Sequence, residues 1–147
     1  MGLKRWSAPT WRVMHYIAAN CKDNKIELNK AKNIISHLAT ILPCVVCKSH
    51  AVSYLKSNKL HRVKNKDNLI MFMFRFHNNV KKRTTYPLAN KKILNVYKNK
   101  CKKFISKQLS NCLFIINMET IHLPRQMNLY YIRSNLINDY FNRIKID

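Results

Sequence analysis

The stretch Pro43-Cys44-Val45-Val46-Cys47-Lys48-Ser49-His50 governs the reading of this chain. It joins a dithiol to a ring-bearing side chain. At C-x-x-C spacing on a helix, both sulfurs share one face within disulfide reach, and a helix N-terminus stabilises a thiolate through its free N–H groups and dipole. Redox chemistry at Cys44 and Cys47 is therefore the first expectation. Pro43 interrupts what precedes it and fits the first turn of a new helix, where its missing N–H costs nothing. Cys44 is then expected close to that helix's start, with His50, Tyr54 and Leu55 further along.

Before the motif, Trp11, Met14, His15 and Ala18 recur at helical spacing, as do Ile34, Ile35, Leu38, Ile41 and Leu42. These predict two amphipathic helices joined by the polar stretch Lys22 to Lys30. After it, Asn58 to Asp67 reads as a polar loop and Leu69 to Val80 as a buried helix carrying His77 and Asn78 near its end. Phe72, Phe74 and Phe76 alternate as in a strand, but apolar residues on both parities favour helix. Tyr86 and Pro87 mark a turn, and Ile93, Val96, Tyr97 and Lys100 predict a closing helix. The recognisable pattern stops near residue 100. Residues 101–147, with apolar clusters at Leu113 to Ile116 and Leu129 to Ile132 and a break at Pro124, read as a helical or mixed extension, so the chain divides into a domain at 1–100 and an extension at 101–147.

At 147 residues, one core plus an extension is the economical frame. The single glycine, Gly2, excludes the glycine-dependent loops of Rossmann and P-loop nucleotide sites. A net charge of +22 would attract nucleic acid, anionic membrane or acidic partners. Lysine, asparagine and isoleucine all have AT-rich codons, however, so genome composition accounts for much of that charge. The N-terminal residues carry no apolar run for a signal peptide, and no segment has the apolar length of a membrane span. Five cysteines without an export signal favour a catalytic dithiol or a metal site over a secreted disulfide scaffold.

Two other uses of the motif stay open on the residues alone. A zinc site would combine Cys44, Cys47 and His50 with one of His15, His61 or His77, although the usual second close pair of ligands is missing. Alternatively the cysteines are small hydrophobes in a core.

Three ordered motifs carry a resemblance: Trp6-Ser7-Ala8-Pro9-Thr10-Trp11-Arg12-Val13-Met14-His15, then Pro43 to His50 with Tyr54-Leu55, then His77-Asn78-Asn79-Val80-Lys81. Together they resemble the Erv/ALR family of FAD-linked sulfhydryl oxidases, its viral members in particular. The resemblance implies an all-α fold, four bundled helices plus a short fifth, cupping the FAD isoalloxazine without a glycine-rich fingerprint. It implies catalysis by Cys44 and Cys47 and no metal. Cofactor contacts carried over by position are Trp6, Trp11 and His15 from the first motif and His50 and Tyr54 after the cysteines. His77, Asn78, Val80 and Lys81 follow from the third motif, with Arg83 as a phosphate partner. Ser7 departs from the family's glycine, Lys81 from its asparagine and Tyr86 from a frequent basic residue, which bears on the pyrophosphate contacts.

The implied reaction passes electrons from a substrate thiolate attacking Cys44, through Cys47, to FAD and then to oxygen, giving hydrogen peroxide. Cys21, Cys101 and Cys112 offer no second C-x-x-C, so the implied electron donor is a separate thioredoxin-like or small C-x-x-C protein. Cys101 and Cys112 either pair or stay reduced. The family's habit implies a homodimer through apolar positions of the first two helices. Similarity to the viral members implies a cytoplasmic location, in the host cytoplasm and virion for a viral chain. The competing class is a basic nucleic-acid-binding or zinc-stabilised interaction module without redox activity.

Overall fold

The computed structural model describes residues 4–120 and 135–139. They form α1 (Ser7–Asn20), α2 (Lys25–Thr40), α3 (Val45–Ser57), α4 (Lys66–Lys81) and α5 (Lys102–Thr120), with 3₁₀ segments at Leu60–Arg62 and Lys91–Tyr97. No extended strand occurs among the described residues, so the all-α expectation holds. The expected clusters around Pro124 and at Leu129 to Ile132 lie outside the described residues.

α1 is the centre of the bundle. It packs on α2, α4, α5 and the 3₁₀ segment Lys91–Tyr97, while α3 lies against α2. Every residue from Val13 to Asn20 is consequently buried. α4 buries Leu69, Phe72, Met73 and Phe76, a helical stripe that leaves Phe74 only half-buried and explains why the apparent strand alternation does not form one. α5 adds Ile105, Leu109, Leu113 and Ile116 to the same core.

Caps set the helix starts. The Asn24 side chain accepts from the Glu27 N–H at 2.9 Å, and Glu27 in the first turn complements the helix dipole. α2 therefore begins at Lys25, inside the stretch read as a polar connection. Asn65 likewise accepts from the Asn68 N–H at 2.8 Å and starts α4 at Lys66, before Leu69. In α3 the cap is Cys44 itself, in extended conformation, so the helix proper begins at Val45. Pro43 thus precedes the cap rather than filling the first turn.

The polar loop after α3 contains a 3₁₀ turn, Leu60–Arg62, entered through Lys59 at φ 59°. The buried Lys32 ammonium holds this turn by donating to the carbonyls of His61 and Val63 at 3.1 and 2.8 Å. Where a closing helix was expected, Lys91–Tyr97 is a 3₁₀ segment. Asn90 caps Lys92 N–H at 3.0 Å, while the buried Asn20 side chain donates to Tyr97 O at 2.8 Å and accepts from Lys100 N–H at 2.9 Å. Asn20 satisfies backbone groups that would otherwise continue a helical ladder.

Candidate active site

Cys44 and Cys47 are joined as a disulfide at the start of α3, with Cα atoms 5.2 Å apart, inside the ordinary range for such a bond. Between them Val45 and Val46 turn outward, 66% and 74% exposed, so the half-buried disulfide is flanked by bare aliphatic side chains. Each sulfur has its own donor. Cys44 Sγ accepts the Cys47 backbone N–H at 3.2 Å, and Cys47 Sγ accepts from Lys4 Nζ at 3.4 Å.

Behind Cys47 opens a slot of about 260 Å³ whose walls include Trp6, Trp11, Phe76 and Val80, with His50 and Arg83 at its rim. Its lining comes from α1, α3 and α4, with Ala39 and Leu42 from the end of α2 and the residues after it. Trp6 is nearly buried, and its carbonyl accepts from the Thr10 hydroxyl at 2.5 Å. That hydroxyl also meets the buried Cys112 Sγ at 3.4 Å, which ties α5 to the back of the slot. A second, more polar cavity of about 350 Å³ continues past His50, Val80 and Arg83 to Tyr54 and Asn79. Arg83 directs its guanidinium onto His50 Nδ1, which therefore accepts and leaves the proton on Nε2.

Deeper in, the rings form two stacked pairs that tilt against each other. Trp11 lies on His77 with centroids 4.2 Å apart and planes 7° from parallel, and His15 lies on Tyr97 at 4.4 Å and 7°. His15 Nε2 and His77 Nδ1 share a hydrogen bond of 3.1 Å. Burial lowers the His15 pKa to about 3, with His77 and Lys81 adding to the effect. Burial and then Lys81 bring His77 down to about 4. With both values so low, both imidazoles are neutral at neutral pH, and in their mutual hydrogen bond one ring donates while the other accepts. Tyr54 stacks on Phe76 at 4.7 Å.

The residues singled out from sequence are thus brought to one region. Trp6, Trp11, Cys47, His50, Val80 and Arg83 meet at the slot, Tyr54 lies in its polar continuation, and His15 and His77 stand behind Trp11. Lys81 acts on that histidine pair through its charge. Asn78 faces the following loop instead: its amide donates to Ala89 O at 3.3 Å and accepts from Ala89 N–H at 2.9 Å. Sequence reading missed Lys4, Thr10, Phe76 and Tyr97 as parts of this region. Nothing marks Lys4 in a lysine-rich chain, and the aromatic pair reads as ordinary helical periodicity.

An apolar, ring-walled slot open to a disulfide and continued by a polar, cation-edged cavity suits a flat ring system with an anionic tail. Two wider grooves, one of about 480 Å³ between α2 and α3 and one of about 600 Å³ beside Cys21, contain neither cysteine of the pair. Cys21 and Cys112 are buried free thiols, and Cys101 is free and exposed. Among the described residues no group of three or more His, Cys, Asp or Glu side chains is arranged to hold a metal ion.

The Erv1/Alr family model matches residues 8–109. A protein called FAD-linked sulfhydryl oxidase from a Kenyan isolate of African swine fever virus is 36% identical over 108 residues, covering 71% of this chain and 86% of that protein. Its counterpart from a Malawian isolate is 37% identical over 98 residues, 64% of this chain and 77% of that one. A protein of Invertebrate iridescent virus 3 is 32% identical over 99 residues, 65% of this chain and 67% of its own. No solved structure matches the chain.

Proposed function

From the premise that the chain belongs to the Erv1/Alr family, we infer that it is an FAD-dependent sulfhydryl oxidase that forms disulfide bonds in partner proteins. The observation that carries the reading is the Cys44–Cys47 disulfide at the mouth of the ring-walled slot.

The slot fits the cofactor. Its apolar walls, Trp6, Trp11 and Val80, would take the ring system against Cys47, and His50, Tyr54 and Arg83 line the polar continuation that would take the tail. Lys81, His15 and His77 complete the proposed set, with the neutral histidine pair fixing the far wall through Trp11, and Asn78 belongs to it through the loop that it holds at Ala89. When bound, FAD supplies a two-electron acceptor whose reduced form passes its electrons to oxygen with release of hydrogen peroxide.

The chain's own part begins with a substrate thiolate attacking Cys44 Sγ. The Cys44–Cys47 bond breaks, a mixed disulfide forms at Cys44, and the electron pair stays on Cys47 as a thiolate. The substrate's second thiolate then attacks the mixed disulfide, leaving as an oxidised product and returning Cys44 as a thiolate. Cys44 and Cys47 now hold the two electrons, with Cys47 on the slot side. The exposed Val45 and Val46 give the substrate an apolar approach to the sulfurs.

The proposed electron donor is a separate protein with its own C-x-x-C pair, because Cys21, Cys101 and Cys112 supply no second exposed dithiol among the described residues. No described helix is long and apolar enough to cross a membrane. Viral relatives support a proposed cytoplasmic setting, in host cell and virion. A homodimer belongs to the same proposal, although the apolar positions of α1 and α2 expected to form it are mostly buried within the chain itself. Residues 1–100 are proposed as the redox unit, with α5 bracing it from the extension.

The test is the visible spectrum of purified protein before and after adding dithiothreitol in air, with peroxide measured alongside. Flavin bands that bleach and recover with peroxide release are expected. Colourless protein that takes up no added FAD overturns the reading.

A further inference from the structure

Two donors reach the disulfide, and they differ in kind. Cys44 Sγ takes a backbone N–H of its own helix at 3.2 Å. Cys47 Sγ takes the ammonium of Lys4, forty-three residues away in sequence, at 3.4 Å. A hydrogen bond to a neutral disulfide sulfur is weak, but the same contact to a thiolate is charge-assisted and considerably stronger. The ammonium therefore favours whichever state puts negative charge on Cys47.

The placement of Lys4 is built into the fold. Its carbonyl accepts the Ser7 N–H at 3.1 Å, closing the turn that opens α1, and Trp6, two residues on, is buried at 8% exposure. The exposed Lys4 side chain is thus delivered to the slot from an anchored backbone. The charged and titratable side chains lining that slot are Lys4 from the N-terminal turn, His50 from α3 and Arg83 from the segment after α4, with no carboxylate among them. Arg83 is directed onto His50, which leaves Lys4 as the described cation in contact with the sulfur.

We propose that Lys4 is a further catalytic residue, the electrostatic partner that makes Cys47 the leaving thiolate when the disulfide is opened. A substrate thiolate attacking Cys44 Sγ forms one S–S bond and breaks another, and the displaced pair arrives on Cys47 Sγ beside the Lys4 ammonium. No proton has to move for that charge to be stabilised. Attack at the opposite sulfur would put the charge on Cys44, with a backbone N–H in place of a full cation. The departing thiol's stability governs which sulfur is attacked and how fast it leaves, so Lys4 sets the direction of opening. This rests on the oxidase reading for its biological use, but the Lys4–Cys47 pairing is measurable without turnover.

The experiment is iodoacetamide alkylation of the reduced, full-length protein across pH, with each cysteine followed by peptide mass spectrometry, in the wild type, Lys4→Gln and Lys4→Arg. Cys47 in the wild type is expected to titrate below the ordinary thiol range. Lys4→Gln should raise its midpoint by about one pH unit, slowing its alkylation near neutrality by about tenfold. Lys4→Arg should restore the wild-type profile, which a loss of packing alone would not produce. A second readout treats the oxidised protein with one equivalent of cysteamine and maps the mixed disulfide: Cys44 in the wild type, shared between Cys44 and Cys47 in Lys4→Gln. An unchanged Cys47 midpoint in Lys4→Gln overturns the proposal, as does the same shift in Lys4→Arg. Failure to bind FAD would overturn the oxidase reading while leaving these titrations interpretable.

Discussion

The His77 imidazole lies flat against the Trp11 indole, centroids 4.2 Å apart and planes within 7°, and so joins α4 to α1 at the wall of the slot. Trp11 also meets the edge of Phe76 at 4.8 Å. One side chain thus serves both the α1–α4 contact and the proposed cofactor surface. Aromatic pairs contribute about 0.5–1.5 kcal/mol beyond area burial. Trp11→Ala is accordingly expected to lower the thermal midpoint of the cofactor-free protein by several degrees and to weaken FAD retention. Trp11→Phe should keep most of both. Calorimetry without flavin and flavin fluorescence on dilution separate the two effects; retention of FAD by Trp11→Ala at wild-type strength would remove Trp11 from the proposed site.

The cysteines should behave asymmetrically. Cys44→Ser and Cys47→Ser are each expected to reduce dithiol oxidation to background while the flavin spectrum persists, since serine keeps the shape of the cysteine it replaces at the slot. Challenged with glutathione disulfide, Cys47→Ser should accumulate a mixed disulfide at Cys44, because the resolving thiol is gone. Turnover by either variant at wild-type rate would contradict the proposed route.

The buried histidine pair makes an acid-sensitive joint. The folded values, about 3 for His15 and about 4 for His77, lie below the ordinary 6.5. Below pH 6.5 the unfolded chain therefore binds protons that the folded chain refuses. The stabilisation is complete above that pH and is lost as pH falls towards the folded values. For His15 the loss is at most about 1.4 kcal/mol per pH unit. Urea unfolding between pH 7.5 and 4.5 should show stability falling with acid, and His15→Phe should flatten that slope even where it lowers stability overall. Equal slopes in the two proteins would show that His15 is not a source of the dependence.

Where side-chain pattern and backbone geometry agree, the sequence was readable. The apolar stripes of α1, α2 and α4 appear where periodicity puts them, and the three motifs converge because α1, α3 and α4 present them to one slot. Boundaries were harder, since a single asparagine decides them. Asn24 starts α2 inside a polar run, and Asn20 closes off the 3₁₀ segment that stands where a helix was expected by bonding across to Tyr97 and Lys100. Lys4 was invisible for a different reason: its partner lies forty-three residues away, and the lysine itself is one among many.

The near absence of glycine leaves a mark that can be removed. With one glycine in the chain, the left-handed positions among the described residues fall to Lys59 and Asn99, both at φ 59°. Asparagine tolerates that region, whereas a lysine there holds its Cβ against the following carbonyl, at a cost of roughly 1–2 kcal/mol. Glycine removes the clash but loses more backbone entropy on folding. Lys59→Gly is therefore expected to stabilise the protein by up to about 1 kcal/mol, and Lys59→Asn by less. Lys59 is exposed and sits between α3 and the Leu60–Arg62 turn, outside the slot lining, so FAD content and oxidase rate should not change. Denaturant titration of both variants gives the answer. A destabilised Lys59→Gly would mean that the backbone entropy glycine loses on folding outweighs the relief of the left-handed strain.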